Sequence, residues 1–220
     1  DDYGIPLKLS HTIINIEGKE RLTGITLAEV DANRNPIPGT EEHYSCDALL
    51  LSVGLIPENE LSKGAGVSMN RITSGPNVDD CLETEVEGIY ACGNVLHVHD
   101  LVDFVSQEAA LAGENAAAYV KEGQNRKKSH KVALAAENGV RYTVPQTLDI
   151  NNMQEKVTVR FRVADVYKDR YISVYYDGVQ ISKKKKKVLA PGEMEQVVLK
   201  KDSFGQYPDL KNIVICTEVE

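Results

Sequence analysis

The sequence has few of the features that mark membrane-spanning or disulfide-stabilised proteins. No window approaches about 18 uninterrupted apolar residues, so the sequence predicts no transmembrane helix. The four cysteines, Cys46, Cys81, Cys92 and Cys216, are widely spaced and form no CxxC pair. This spacing excludes a CxxC redox pair and a paired-CxxC zinc site, and it is typical of reduced, packed thiols in a cytoplasmic protein.

The beginning of the chain does not resemble a secretory signal. It starts with the acidic segment Asp1-Asp2-Tyr3-Gly4, whereas a signal peptide starts with positive charge followed by an apolar core. We therefore expect a cytoplasmic location. The 220 residues, 42% of them hydrophobic, are enough to form one large domain or two small ones with real cores.

Charge is distributed unevenly along the chain. Residues 1–123 contain 7 Lys and Arg against 21 Asp and Glu, a net charge of −14. Residues 124–220 contain 18 against 12, a net charge of +6. The polar segment from Glu122 to Lys131 lies between these regions and is typical of a linker, so the sequence predicts different bodies on its two sides.

The C-terminal region, residues 132–220, shows the pattern of a small β-sandwich. Apolar residues alternate with polar ones in runs over 157–163, 172–176, 197–199 and 213–216. Turn sequences such as Asp177-Gly178 and Pro191-Gly192 separate the runs, and no helical pattern lies between them. Short strands of period two with turns between them predict an antiparallel β-sandwich domain.

The N-terminal half mixes strand and helix patterns. Residues 7–30 alternate and predict an antiparallel meander. The apolar runs Asp47–Val53 and Gly88–Cys92 predict strands buried on both faces, as in an α/β layer. The segment Asp103–Val120 is rich in alanine and predicts a helix that packs closely against a sheet or a ligand.

A candidate ligand site follows the second apolar run. Gly93 lets the backbone approach a ligand where a Cβ atom would collide. Asn94, just after the strand's carboxyl end, can donate and accept hydrogen bonds there. The helix that begins near Asp103 to Ser106 would present free N–H groups and a positive dipole end to an electron-rich group.

The segments CDALLLSVGLIPENEL and TEVEGIYACGN, in this order and at this spacing, resemble two motifs of a known family. They are similar to the closing motifs of the FAD-dependent pyridine nucleotide-disulphide oxidoreductases, the two-dinucleotide-domain flavoproteins related to glutathione and thioredoxin reductases. The resemblance covers about residues 7–121. A finer likeness, around VRYTVPQ at 140–146, is to the NAD(FAD)-dependent dehydrogenase and amine- or opine-oxidase-like branch.

The resemblance implies a fold and a domain plan. The fold would be α/β, a partial Rossmann-like FAD/NAD(P)-binding fold followed by the antiparallel β-sandwich. Residues 1–45 would be the last strands of an NAD(P)H-binding domain, 46–123 the C-terminal part of an FAD-binding domain, and 132–220 the β-sandwich domain. Both FAD and NAD(P)H are therefore expected as cofactors of the full-length enzyme.

The resemblance also implies cofactor-binding positions. Asn94 would bond the ribityl hydroxyls of FAD, and backbone N–H groups around the helix start would face the edge of the flavin ring. The full implied set is Gly54, Pro57, Gly93, Asn94, Val95, Val105, Ser106 and Gln107. No residue is implied as a catalytic acid, base or nucleophile, and Cys92 in its strand is interpreted as a packing residue.

The sequence departs from the family pattern in two ways, and both bear on whether the chain binds FAD as the family does. Asn94 stands where most of the family has Asp, which keeps the hydrogen bonding but loses a charge. The GxGxxG loops that hold the pyrophosphate groups are absent, since Gly64-Ala65-Gly66 is followed by Met69 at the third glycine position. We therefore expect this chain to be the C-terminal part of a longer enzyme, with weak FAD binding or none by itself.

Two other patterns have competing interpretations. The segment His97-Val98-His99-Asp100, with Asp103, has metal-ligating residue types. No second ligand cluster is visible, so a polar surface or cofactor wall is favoured and no metal is predicted. The five lysines Lys183–Lys187 are interpreted as a solvated strand edge and not as a nucleic-acid or membrane site, because aromatic residues are not interleaved with them.

The sequence therefore supports two functions of different kinds. The first is the C-terminal portion of an oxidoreductase that passes electrons between NAD(P)H and an unidentified acceptor through FAD. The alternative is a non-catalytic interaction module whose basic β-sandwich docks an acidic protein surface, either another subunit or the acidic half of the same enzyme.

Overall fold

The computed structural model describes residues 3–122 and 129–219, with the side chain of Glu122 left out. Most of the predicted linker, residues 122–131, lies outside the described residues. The chain divides into two compact units, Asp1–Gly54 and Leu55–Glu220. The second unit contains residues of both predicted segments, 46–123 and 132–220. Compactness does not test which dinucleotide domain a segment belongs to, so that assignment stays a prediction.

The first unit is built on a three-stranded antiparallel sheet. Its strands are β1 (His11–Glu17), β2 (Gly24–Glu29) and β3 (Glu42–Ser45), in the order β1-β2-β3. The alternating pattern of residues 7–30 therefore predicted the first two strands and their antiparallel pairing. The sheet encloses little apolar surface, since Ala28 is its one hydrophobic residue among the described residues that is fully buried.

The predicted buried strand Asp47–Val53 is wrong. The segment has no strand hydrogen bonding in the structure, and Leu50 and Val53 are 96% and 80% exposed. A strand buried on both faces needs neighbouring strands and covering layers. The described residues of this unit provide neither for 47–53, so its apolar side chains remain in contact with solvent.

The second unit begins with two helices and a long irregular segment between them. The helices are α1 (Glu60–Gly64) and α2 (Val102–Glu122), and a 3-10 turn forms at Gly93–Val95. The predicted helix 103–120 is confirmed, and the structure extends it by one residue at its start and two at its end. No helix in the described part of the chain combines the length and hydrophobicity that a membrane crossing requires.

The predicted strand Gly88–Cys92 is also wrong. Only an isolated antiparallel bridge between Glu83 and Tyr90 forms there. The pattern was correct about burial at one position, since Ala91 is 6% exposed. Local turns satisfy the backbone instead: Ile89 N–H donates to Val86 O, and Thr84 N–H donates to Ile89 O.

The rest of the second unit consists of two packed sheets. A three-stranded sheet has the order β10-β7-β5 and a five-stranded sheet the order β6-β4-β11-β8-β9. Their strands are β4 (Lys131–Glu137), β5 (Val140–Val144), β6 (Thr147–Asp149), β7 (Lys156–Val163), β8 (Tyr167–Tyr176), β9 (Val179–Leu189), β10 (Glu195–Lys200) and β11 (Asn212–Glu218).

The predicted sandwich is confirmed as two sheets over one core, but it is not purely antiparallel. Strand β11 pairs with β4 in parallel and with β8 antiparallel, which makes the larger sheet mixed. Alternation reports which face of a strand is buried and not the direction of its neighbour, so the sequence could not reveal this pair. Phe161, Val159 and Ile213 lie at the centre of the core, each fully buried.

A second, smaller core joins α2 and the irregular segment to the sandwich. Leu82, Leu96 and Ala112 pack with Tyr142 and Val144 of β5. Burial of these side chains stabilises the contact by about 25 cal/mol per Å² of apolar surface removed from water. The helix therefore lies against the smaller sheet, and this contact positions the site described below.

Candidate functional site

A buried carboxylate, Glu108, lies where α2 meets the Gly93–Val95 turn. Its side chain is 1% exposed. Its Oε2 accepts a hydrogen bond of 3.0 Å from the backbone N–H of Gly93. This bond ties the Gly93 turn to the second turn of α2.

Two histidines approach the other oxygen of the same carboxylate. His97 Nε2 lies 2.8 Å from Glu108 Oε1 and forms a hydrogen bond with it. His99 Nε2 lies 3.0 Å from the same oxygen but outside hydrogen-bonding geometry. The two imidazole rings meet edge to face, with centroids 4.3 Å apart.

The chain reverses sharply after Gly93 to bring these histidines back to the helix. The N–H groups of Leu96 and His97 both donate to Gly93 O, at 2.9 and 3.1 Å. Gly93 has a φ of +69°, in the left-handed region that side chains with a Cβ atom disfavour. The glycine is thus required by the turn geometry itself.

Arg160, on β7, completes the cluster from the sandwich. Its Nη1 donates to Glu108 Oε1 at 3.4 Å, and its Nη2 donates to Gln107 Oε1 at 2.8 Å. The guanidinium also lies over the ring of Phe104, 5.2 Å from its centroid. We refer to His97, His99, Glu108 and Arg160 as the His–Glu–Arg cluster.

The ionisation of the cluster follows from its contacts. Burial favours the neutral form of Glu108, but the neighbouring imidazoles of His97 and His99 outweigh it and lower the pKa of that carboxyl to about 2. Burial lowers the pKa of His97, and its hydrogen bond to Glu108 offsets only part of this effect. At neutral pH the cluster therefore holds a carboxylate and a neutral His97.

Several polar atoms of the cluster are buried without a hydrogen-bond partner. They are Nδ1 of His97, both ring nitrogens of His99, and Nε of Arg160. A buried polar group without a partner costs about 1–3 kcal/mol. Protein hydrogen bonds alone therefore do not satisfy this cluster.

The residues predicted for the ribityl chain lie on the Gly93 turn. Asn94 is exposed, and its Oδ1 accepts a hydrogen bond of 3.1 Å from the N–H of His99. Val95 is 41% exposed beside it. The structure thus places an accessible amide next to α2, and its role in cofactor binding stays a prediction.

The residues predicted to face the flavin ring lie on the first two turns of α2. Because the helix begins at Val102, the N–H groups of Ser106 and Gln107 fall beyond its free first turn. Val105 packs against the Gly93 turn instead: a Cβ atom added to Gly93 would lie 3.2 Å from Val105 Cγ1. The side chain of Gln107 holds Arg160, as described above.

Gly54 and Pro57 lie away from regular structure. Gly54 is exposed with open space around its Cα, at the end of the first unit, and Pro57 is half-buried in the second. Within the second unit, Val105 packs on the Gly93 turn, and the role of all eight residues in cofactor binding stays a prediction.

The fit to FAD is partial. The exposed Asn94 amide beside the start of α2 suits the sugar-alcohol chain of the cofactor. The space that Gly93 would leave open is partly filled by Val105, and the Gly93 N–H is already bonded to Glu108. No glycine-rich phosphate loop is present in the sequence to hold the pyrophosphate.

Sequence reasoning missed Glu108 and Arg160. It considered His97 and His99 together with Asp100 and Asp103, but Asp103 is exposed and Asp100 accepts a bond of 3.0 Å from Met194 N–H. Glu108 is one of three glutamates in α2, and its place among small residues did not distinguish it from Glu114. Nothing in the sequence singled out Arg160, because it lies in a run with the ordinary alternating pattern of a strand.

Two cysteines have raised pKa values, and the lysine run lies on an edge strand. Burial, and secondarily the charge of Glu108, raises the pKa of Cys92, and burial raises that of Cys216 to about 11, so neither is a reactive thiolate at neutral pH. Lys183–Lys187 lie on β9, which forms one edge of the larger sheet. Charged residues on an edge strand oppose pairing with other chains.

Comparison with known proteins identifies a family over the first half of the chain. Residues 2–110 match the family described as pyridine nucleotide-disulphide oxidoreductase. No curated protein matches the chain. The family match covers the three-stranded sheet, the Gly93 turn and the first half of α2, and it supports a member of this oxidoreductase family.

Proposed function

We propose, from the match to the pyridine nucleotide-disulphide oxidoreductases over residues 2–110, that the chain supplies the ribityl and ring side of an FAD site. In this proposal the complete enzyme transfers electrons between NAD(P)H and an acceptor. Bound flavin supplies the hydride chemistry. The protein residues supply position, hydrogen bonds and exclusion of water.

The observation that carries the proposal is the contact between the Gly93 turn and α2. Asn94 offers an exposed amide, and the helix start, with its positive dipole end, lies close to it because Val105 packs on the turn. Glu108 keeps the two elements together through the Gly93 N–H. This 220-residue sequence has no GxGxxG loop. In this proposal, the residues that bind the pyrophosphate of FAD therefore belong to another part of the complete enzyme.

Flavin binding by the purified chain tests the proposal. The change in flavin fluorescence as the chain is added follows the binding. We expect weak binding of both riboflavin and FAD, with dissociation constants within about threefold of each other, since the sequence has no phosphate loop to favour FAD. Asn94→Ala is expected to weaken the binding of riboflavin and of FAD by about tenfold each, because it removes one to two hydrogen bonds.

A matched control is Asn33→Ala, which changes an exposed amide in the first unit. It should leave flavin binding unchanged. The proposal fails if neither ligand binds at millimolar concentration, or if Asn94→Ala and the control bind equally well.

The interaction-module alternative is favoured by one observation, the exposed lysines of β9. Part of their charge is already paired within the chain: Lys185 lies 3.8 Å from Asp169, and Lys186 lies 2.7 Å from Glu195. Absence of flavin binding, together with salt-sensitive capture of an acidic protein surface, would favour this alternative.

A further inference from the structure

The His–Glu–Arg cluster contains a set of metal-ligating atoms in the interior of the second unit. The ligand atoms of His97, His99 and Glu108 all lie within 4.8 Å of one another. All three side chains are 1% exposed. Imidazole nitrogens combined with a carboxylate oxygen are the donor types that first-row divalent metals bind.

Hydrogen bonding explains only part of this convergence. Nitrogen atoms from three side chains face the single oxygen Oε1 of Glu108, at 2.8 Å for His97, 3.0 Å for His99 and 3.4 Å for Arg160. Yet His99 Nε2, at 3.0 Å, lacks hydrogen-bonding geometry and has no other partner. A buried nitrogen that faces a carboxylate without a hydrogen bond is stabilised if a cation lies between them.

The carboxylate is already oriented as a ligand that binds through one oxygen. The Gly93 N–H holds Oε2 at 3.0 Å, which leaves Oε1 turned toward the two imidazoles. Hydrogen bonds of this kind, from groups outside the ligand set, fix the orientation of metal ligands. The backbone N–H of Gly93 therefore orients Glu108 in the same way.

We propose that His97, His99 and Glu108 bind one divalent transition-metal ion of the zinc type. Metal–ligand bonds of about 2.0–2.2 Å in tetrahedral geometry separate the ligand atoms by about 3.3 Å. The distances from Oε1 to the two imidazole nitrogens, 2.8 and 3.0 Å, must widen by at most about half an ångström. The ligand atoms span up to 4.8 Å, so the farthest pair must approach by about 1.5 Å on binding.

The surroundings set the character of the site. No further His, Cys, Asp or Glu within residues 3–122 and 129–219 joins the three ligands, so a fourth position is left for water. A cleft of about 190 Å³ borders Glu108 and Arg160. When the metal binds Oε1 of Glu108, Arg160 keeps its contact with Gln107. The positive charge of Arg160 then lowers the affinity of the site for the metal ion.

Titration of the whole chain with Co²⁺, after chelation and removal of any affinity tag, tests the proposal. Co²⁺ replaces zinc in such sites and reports its coordination through visible absorption. We expect one Co²⁺ per chain, displacement by Zn²⁺, and a higher melting temperature when the metal is bound. His97→Gln and His99→Gln should each weaken binding by at least about tenfold.

The control is His43→Gln, which replaces a half-exposed histidine in the first unit and should bind Co²⁺ as the original chain does. Circular dichroism establishes that each variant is folded. The proposal is overturned if the folded original chain binds no Co²⁺ stoichiometrically, or if both His97→Gln and His99→Gln bind it with unchanged affinity. Neither flavin nor enzymatic activity enters the measurement, so its outcome is separate from that of the proposed function.

Discussion

Replacing Glu108 by Gln removes the one carboxylate that the buried Arg160 contacts among the described residues. The neutral amide keeps the shape of the side chain and one acceptor oxygen, but the guanidinium, 8% exposed, loses its counter-charge. Breaking a buried ion pair from one side costs about 3–5 kcal/mol. The retained contact of Arg160 with Gln107 places the expected cost near the lower end, about 3 kcal/mol.

The ionisation of Glu108 gives a similar magnitude. Its carboxyl has a pKa of about 2 in the folded protein, against an ordinary value of 4.5. A pKa lowered on folding stabilises the folded protein above the ordinary pKa, and the difference is worth about 3 kcal/mol at neutral pH. This stability is lost as the pH falls from about 4.5 toward 2, and Glu108→Gln should remove that part of the acid sensitivity.

Urea unfolding followed by circular dichroism, with a chelator present, measures the effect. With a slope of about 2 kcal/mol per molar urea, the midpoint of Glu108→Gln should lie about 1.5 M lower. Glu114→Gln, at an exposed position of the same helix, should change the free energy of unfolding by less than about 0.5 kcal/mol. In the double variant with Arg160→Met, much of the loss should return, because both buried charges are gone.

Two results would refute this reasoning. One is a cost below about 1 kcal/mol for Glu108→Gln, which would mean that the contact with Arg160 carries no net energy. The other is a double variant whose cost equals the sum of the two single costs, since a coupled pair cannot be additive.

Three further predictions concern other parts of the second unit. Burial raises the pKa of Asp80 to about 6, so the folded protein binds a proton there more tightly than the unfolded chain; stability should rise as the pH falls from about 6 to 4, and Asp80→Asn should abolish this rise in urea unfolding at several pH values. Gly75→Ala would place a Cβ atom 1.8 Å from Leu96 O and should cost about 3 kcal/mol or more, whereas Gly192→Ala enters open space and should be neutral; equal melting temperatures would contradict the packing described. Lys184→Val on the edge strand β9 should increase light scattering on storage, and unchanged scattering would argue against a protective role of these lysines.

The β-sandwich and the long helix could be predicted because their signals are local. Val157, Val159 and Phe161 alternate with polar residues, and a strand with that pattern buries one face wherever it is placed. The same local signal failed at Leu50 and Val53. Their apolar run reports a tendency to be buried, but burial also requires covering elements that the first unit does not provide among its described residues.

Only the part of the candidate site that is formed by residues close together in the sequence could be predicted. Gly93, Asn94 and the helix after them are close in the sequence, so a turn and a helix start sufficed to bring them together. Arg160 lies 52 residues after Glu108 and reaches it only because α2 lies against the sheet that contains β7. The alternation of apolar and polar residues along the sequence gives no information about such a long-range contact.

The sequence by itself determined strands β7, β8, β10 and β11, the extent of α2 and the lysine run of β9, since side-chain alternation, helix-forming composition and charge act over a few neighbouring residues. The tertiary structure decided that β11 lies parallel to β4, that the segment 47–53 remains exposed, and that two histidines, a glutamate and an arginine meet in one buried cluster. The physical reason is that these outcomes depend on which surfaces pack together, and packing is settled by the fold as a whole.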